Sequence, residues 1–456
     1  MSGAEAPSVG PAFDGKAAEA ATPAGAPASP ETKAAPSLRP LARESSVGPA
    51  FDGKAAEAAT PAGAPASPET SAGRSLRPLA LYIHWPFCVT KCPYCDFNSH
   101  VRPGVDPADW EAAYRAELAH EAAATPGHRL VSVFFGGGTP SLMPPALVGR
   151  LLEAAARLWP LAPGLEVTLE ANPSSVEAAN FAALAAAGVN RVSLGLQALD
   201  DAALRQLGRP HDLAEGLAAL DVAQRQFPRV SIDLIHSRPG QTPADWEAEL
   251  ARALSFGTGH LSAYQLTIEP GTRFATLHAK GLIDLPAEED AAEMLELTEA
   301  LCAAAGLPLY EVSNHARPGD ECRHNLQYWR YGAYAGVGPG AHGRRAGRAT
   351  VRQRRPEAWR AAVARTGHGI EAETSVPPAE AAREALLMGL RLVEGIDPDR
   401  FEQATGVPLG RAIDADARAR LEALGLLAPG PRLAATAAGR RVLDRLLVEL
   451  ALDPVL

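Results

Sequence analysis

The chain has 456 residues, 46 % of them apolar and 21 % charged, a globular composition able to build a sizeable core. Its net charge of −10 argues against nonspecific nucleic-acid binding, which draws on a basic surface. No run approaches the roughly 18–20 apolar residues that span a bilayer, the N-terminus lacks a charged-then-apolar signal pattern, and five cysteines are too few for a disulfide scaffold.

Residues 8–42 recur at 46–80, differing only at Lys33/Ser71, Ala35/Gly73 and Pro36/Arg74. The repeated unit is Ala, Pro, Gly and Ser with no periodic apolar face. Burial cannot offset its chain entropy, so residues 1–77 are expected to form a disordered tail. From about residue 79, short aliphatic runs predict strands at 80–85, 132–135, 166–170, 191–196, 230–235 and 260–268. The stretches 107–124, 144–158 and 243–254 are long enough for crossover helices. Strands alternating with helices imply right-handed parallel βαβ units. Six of them predict an α/β fold, a partial, open (β/α)6 barrel over residues 78–310, with its chemistry at the C-terminal ends of the strands. Polar and glycine-rich sequence does follow these strands, at 88–95, 136–140, 170–173, Gln197 and 233–240.

Residues 311–375 read as a connecting region that carries a histidine motif. From Val376, helices at 380–393 and 412–424, a turn-and-strand stretch at 426–434 and a last helix from Thr436 predict a small winged-helix-like domain over 376–456. No basic cluster lies there, so DNA reading is not expected. The eight arginines between Arg344 and Arg365, with Glu357 as the one acid, read as a solvated loop and helix face. Cys302, in an apolar helix at 291–305, reads as buried and inert.

The string Cys88-Val-Thr-Lys-Cys92-Pro-Tyr-Cys95 follows the first predicted strand directly. Three thiolates at this spacing can hold three irons of a [4Fe–4S] cluster and leave the fourth iron open. An open iron can be chelated by the amino and carboxylate groups of a methionine-derived cofactor. The alternative on the residues alone is zinc, with Cys88, Cys92, Cys95 and either His84 or His100 around a tetrahedral site.

With Tyr82-Ile-His-Trp-Pro-Phe-Cys88, Gly136-Gly-Gly-Thr-Pro-Ser141, Glu170-Ala-Asn-Pro173, Ser193-Leu-Gly-Leu-Gln197, Leu207-Gly-Arg-Pro-His211 and Ile232-Asp-Leu-Ile235, the chain resembles a known family over roughly residues 79–450. It is the radical S-adenosylmethionine (SAM) enzymes, in their coproporphyrinogen III oxidase-like branch. The resemblance implies that Cys88, Cys92 and Cys95 hold the cluster, that Gly137, Gly138 and Thr139 meet the SAM amino group, and that Glu170 accepts from the ribose hydroxyls. It implies nucleotide contacts for Gln197, Arg209 and Asp233, where the oxidase branch holds a second SAM. Tyr82 and Tyr94 would lie against the cluster or the adenosyl group. Phe97 stands where the true oxidases carry a fourth cysteine, and His236-Ser-Arg238 replaces the usual Tyr-Gly-Leu.

The string His324-Asn-Leu-Gln-Tyr-Trp329 resembles a motif of HemW-type heme chaperones that the oxidases lack. A neutral imidazole is a good axial ligand for heme iron, which makes His324 the candidate ligand, with Tyr328 and Trp329 able to cover the porphyrin; Cys322 reads as a bystander. The resemblance thus implies a heme chaperone that binds heme, one [4Fe–4S] cluster and SAM, and passes heme to an acceptor protein. Its expected partners are heme and that acceptor, with no nucleic acid and with membrane contact only through the acceptor. The alternative is an oxygen-independent coproporphyrinogen III oxidase, so whether the chain is an enzyme stays open. An oxygen-sensitive cluster and the lack of disulfide logic fit the cytoplasm.

Overall fold

The computed structural model describes residues 76–102 and 104–451; of the tail expected at 1–77 only Leu76 and Arg77 fall within them, and Arg77 already belongs to the first strand. One twelve-stranded sheet organises most of the chain. Its strands are β1 (Arg77–Trp85), β2 (His128–Gly137), β3 (Leu161–Ala171), β4 (Arg191–Gln197), β5 (Arg229–His236), β6 (His260–Gln265), β7 (Leu309–Glu311), β8 (Asn314–Ala316), β9 (Tyr334–Val337), β10 (His342–Arg345), β11 (Arg348–Arg352) and β12 (Ile370–Ser375). The first six pair side by side in sequence order, all parallel, as the alternation of strands and helices predicts. A seventh parallel strand, β9, joins β1 on its other side. Antiparallel strands extend both edges: β8 and β7 beyond β6, and β10 to β12 beyond β9. The region at 311–375 thus supplies five strands of the sheet, β8 to β12.

Alternation along each strand sorts its side chains onto two faces. Leu79, Leu81, Val133, Phe135, Leu169, Val192, Leu194, Ile232 and Leu261 join one apolar core with residues of the helices α1 (Ala108–Ala124), α2 (Pro145–Leu158) and α3 (Pro243–Leu254). On the other face, beside Ala80 and Phe134, lie buried polar residues: Ser132, Glu166, Thr168, Arg191, Ser193, Ser231, His260 and Ser262. The interior is therefore a hydrogen-bonded column: Ser231 meets His260 Nδ1 at 2.8 Å, and the Ser193 hydroxyl reaches both Asp233 oxygens at 2.9 Å.

The arginine-rich stretch is only in part the solvated face its composition suggests: Arg348, Arg354, Arg355 and Arg365 are exposed, but others are not. Arg345 and Arg352 are buried and grip Glu121 of α1 at 2.6 and 2.7 Å, while Arg348 pairs with Glu373 at 2.9 Å. The Glu121 carboxylate lies 224 and 231 residues from the two buried arginines, and local sequence cannot show that pairing.

The C-terminal residues build a separate core from Leu386, Phe401, Leu409, Leu421, Leu427 and Leu446. Its helices include Pro378–Gly389, Pro398–Thr405, Ala415–Ala423 and Leu443–Leu450, with a short hairpin of Leu427–Ala428 and Ala434–Ala435. The helix expected to run to 393 stops at Gly389, where a Cβ would sit 2.5 Å from Ile396. The last helix is split, since Thr436 caps only the turn Ala437–Arg440.

Candidate functional site

Cys88 lies just past the end of β1, where the loop after β2 folds back over it. The Gly138 amide donates to the Trp85 carbonyl at 2.7 Å, and that of Thr139 to Phe87 at 2.9 Å. This lacing needs glycine. A Cβ on Gly137, whose φ is +115°, would lie 2.5 Å from the His84 ring, and one on Gly138 would lie 2.7 Å from the Phe87 carbonyl oxygen. Packing alone therefore accounts for the glycines, and it also brings the Thr139 hydroxyl to 3.4 Å from the Cys88 sulfur. The Cys92 sulfur accepts from Arg209 at 3.4 Å, and Cys95 lies 3.9 Å from the Ser99 hydroxyl.

All three cysteines line one cavity of about 400 Å³. None is in a disulfide. Burial pushes the Cys88 thiol up to about 11 and raises that of Cys95, so loading an iron–sulfur cluster would release protons as the thiolates form. The donor set fits a cluster better than zinc. No three His, Cys, Asp or Glu side chains among the described residues converge as one metal ion requires, whereas a cubane takes each thiolate at a different iron. The imidazoles of the zinc alternative are also engaged. His84 contacts the Tyr82 hydroxyl at 2.9 Å and the Asn98 carbonyl at 3.0 Å, and His100 meets the Asn98 side chain at 3.3 Å.

Opposite the cysteines stand the strand-end residues. The Glu170 carboxylate accepts the Gly137 amide at 3.2 Å. Arg209 donates to Asn172 at 2.6 Å and to the Gly195 carbonyl at 3.0 Å. Gln197 holds a φ of +66°, a conformation costly for a residue with a Cβ and common at ligand-facing turns. Burial pushes Asp233 up to about 6, against the lowering effect of the Ser193 hydroxyl.

Tyr94, Gly137, Gly138, Thr139, Glu170, Gln197, Arg209 and Asp233 all line the cavity together with the three cysteines. Asn172, Glu177, Tyr264 and Gln265 line it too, although the sequence does not single them out. Glu177 is buried, accepts from the Ser141 hydroxyl and from the Asn172 amide at 2.8 Å, and is raised by burial. Tyr264 and Gln265 are the last two residues of the sixth strand, positions the strand-end rule alone would flag. Phe97 lines the cavity at the position of the missing fourth cysteine. Ser237 also takes a positive φ, +55°, but it is buried and does not line the cavity.

Tyr82 and His324 lie outside the residues that line the cavity. The Tyr82 ring is 5.7 Å from that of Phe134 and 6.4 Å from His324. His324 sits on the short helix α4 (Arg323–Trp329), and its fully buried ring is bonded at both nitrogens. Nδ1 meets the Ser132 hydroxyl and Nε2 the Tyr328 hydroxyl, each at 2.9 Å. Its backbone amide donates to Glu166 at 2.7 Å, and Cys322 caps the helix through its sulfur. Burial lowers the imidazole to about 3, which keeps it neutral.

A parallel barrel with three cysteines after its first strand, a glycine loop after its second and a carboxylate ending its third has the construction of the radical SAM superfamily. The model of that superfamily matches residues 82–253, and that of the HemN C-terminal domain matches 376–442. The Bos taurus protein named Radical S-adenosyl methionine domain-containing protein 1, mitochondrial, is 43 % identical over 337 residues, 71 % of this chain and 75 % of its own length. Heme chaperone HemW of Escherichia coli (strain K12) is 38 % identical over 338 residues, 72 % of this chain and 86 % of its own length. The solved structure of the Escherichia coli coproporphyrinogen III oxidase HemN matches with a TM-score of 0.70 at 24 % identity, covering 82 % of this chain and 90 % of that one, which shows a shared fold. The chain belongs to the HemW-type family of the radical SAM superfamily.

Proposed function

We propose that the chain is a heme chaperone that carries one [4Fe–4S] cluster, binds SAM, and binds heme for transfer to an acceptor protein. The observation that carries this reading is the single cavity faced by three free thiols, a glycine loop and the carboxylates of Glu170 and Asp233 among others. Cys88, Cys92 and Cys95 hold the cluster, whose open iron would chelate the amino and carboxylate groups of SAM. Gly137, Gly138 and Thr139 give the amino end a close backbone wall. Glu170, held by the Gly137 amide, presents its carboxylate to ribose hydroxyls. Arg209 sets a positive charge beside the Cys92 sulfur and the nucleotide end, Tyr94 packs there against Phe274, and Gln197 and Asp233 supply further polar contacts. Free thiols suit a reducing compartment, of which the cytoplasm is one. Among the described residues no helix is long and apolar enough to cross a membrane.

Phe97 and the His324–Trp329 motif favour the chaperone over a coproporphyrinogen III oxidase. Anaerobic incubation with SAM, dithionite and coproporphyrinogen III is expected to give no sustained protoporphyrinogen formation. Steady turnover would overturn the proposal.

His324 is the proposed heme ligand of an opened state, in which the Tyr328 hydroxyl has left Nε2. The neutral imidazole is already the ligating form. Heme titration of the wild type, His324→Ala and Tyr328→Phe tests this. Tyr328→Phe, which removes the competitor for Nε2, is expected to bind heme more tightly, and His324→Ala to shift the Soret band. Three identical titrations would remove His324 from the heme site.

A further inference from the structure

Arg191 is the first residue of β4, whose last residue, Gln197, lines the cysteine cavity. It therefore marks the opposite end of the barrel. A cleft of about 210 Å³ opens there, with Arg191 and His260 buried at its base and Gln224, Gly257 and Arg317 exposed at its mouth. Arg191 is 0 % exposed, and none of its three guanidinium nitrogens has a hydrogen-bond partner among the described residues.

The charges around it do not balance. Arg229 reaches Asp320 at 3.2 Å and Glu166 at 3.5 Å, and Arg317 reaches Asp320 at 3.7 Å. Glu166 is further occupied by the backbone amides of Arg323 and His324 at 2.8 and 2.7 Å. Three guanidinium groups thus share two carboxylates, and Arg191 is left over. His260 adds no charge, since both its nitrogens are bonded, to Ser231 and to Tyr310, and burial holds it neutral. An unpaired buried guanidinium is costly to keep. Water in the cleft can satisfy its N–H groups but not its charge.

We propose that this cleft binds a small oxyanion, a phosphate or a carboxylate, on the planar fork of Arg191, with Arg229 and Arg317 flanking it. The geometry of that fork matches two oxygens of either group. The site is separate from the cysteine cavity, and a ligand here is independent of SAM and heme.

The test uses the full chain, titrated in thermal-unfolding experiments with sodium phosphate or sodium acetate, chloride holding the ionic strength constant. A saturable rise in Tm with one of the two anions is expected, and whichever acts identifies phosphate or carboxylate as the ligand class. Isothermal titration with the same anion should give matching affinity. Arg191→Met is expected to abolish the response while leaving iron content and SAM binding unchanged. Arg317→Gln, at the exposed mouth, is expected to weaken apparent affinity several-fold, so the proposal stays open to refutation even if Arg191→Met fails to fold. A wild type indifferent to both anions at millimolar concentration would overturn it, as would a response of equal size in wild type and Arg317→Gln.

Discussion

At the C-terminal ends of the barrel strands, Cys88, Cys92, Cys95, Glu170 and Asp233 face a shared cavity. At the other end, Glu166, Cys322, His324 and Tyr328 face mostly one another: Glu166 accepts two helix amides, and both His324 nitrogens are bonded. Both ends are rich in the residue types that ligate and catalyse. What separates them is access: the first group faces open cavity volume, which marks a ligand end, whereas the second faces its own bonded partners, which marks a structural one. Arg191, unpartnered and facing a cleft at this end, departs from that pattern, and for that reason it carries the anion proposal.

Removing the cysteines should separate the ends most sharply. Cys88→Ala, Cys92→Ala and Cys95→Ala, singly or together, are expected to lose essentially all iron and the brown colour after anaerobic reconstitution. The urea midpoint of the apoprotein should barely move; a large shift would make the cysteines structural. Glu166→Ala is the converse case. It strands the two helix amides and Arg229, so a loss of about 2–4 kcal/mol in urea unfolding is expected, with iron loading retained.

Asp233→Asn probes the cavity electrostatically. The native Asp233 carboxyl is raised to about 6 from an ordinary 3.8, so it destabilises the fold once it must ionise. Sign follows from this: wild-type stability from this group is intact below about pH 4 and is lost as pH rises through 6. Asn should therefore gain about 1–3 kcal/mol over wild type at pH 7.5 and almost nothing at pH 4, while SAM affinity falls. Equal midpoints at both pH values would show that the carboxyl is not raised. The smallest effect expected is that of Ser237→Gly. Relief of the positive φ is worth about 1 kcal/mol and is offset by the lost contacts to His236 Nδ1 at 3.0 Å and Met294 sulfur at 3.6 Å. Its Tm should stay within a few degrees of wild type, and a large change in SAM binding would place Ser237 at the ligand after all.

The six consecutive parallel strands were legible because each is an aliphatic run with a polar string at its C-terminal end. The strands β9 to β12 were not. They are short, β10 and β11 are rich in arginine, and they owe their place to pairing outward from β1 through β9 and to a distant carboxylate on α1. In the site, residues embedded in recognisable strings were legible. Glu177 was not, because only folding brings it to the cavity wall, whereas Tyr264 stands near a strand end that the sequence already marks. For His324 the string and the geometry point different ways. Sequence shows an imidazole beside aromatics, and only coordinates show that Ser132 and Tyr328 already hold it.

Unfolding this barrel exposes the hydroxyls of Ser132, Thr168, Ser193, Ser231 and Ser262 along with the apolar outer layer. Apolar exposure raises heat capacity and polar exposure lowers it. The stability curve of this chain should accordingly be flatter than that of a barrel filled with valine and isoleucine, with less curvature toward the cold and a shallower descent to the melting point.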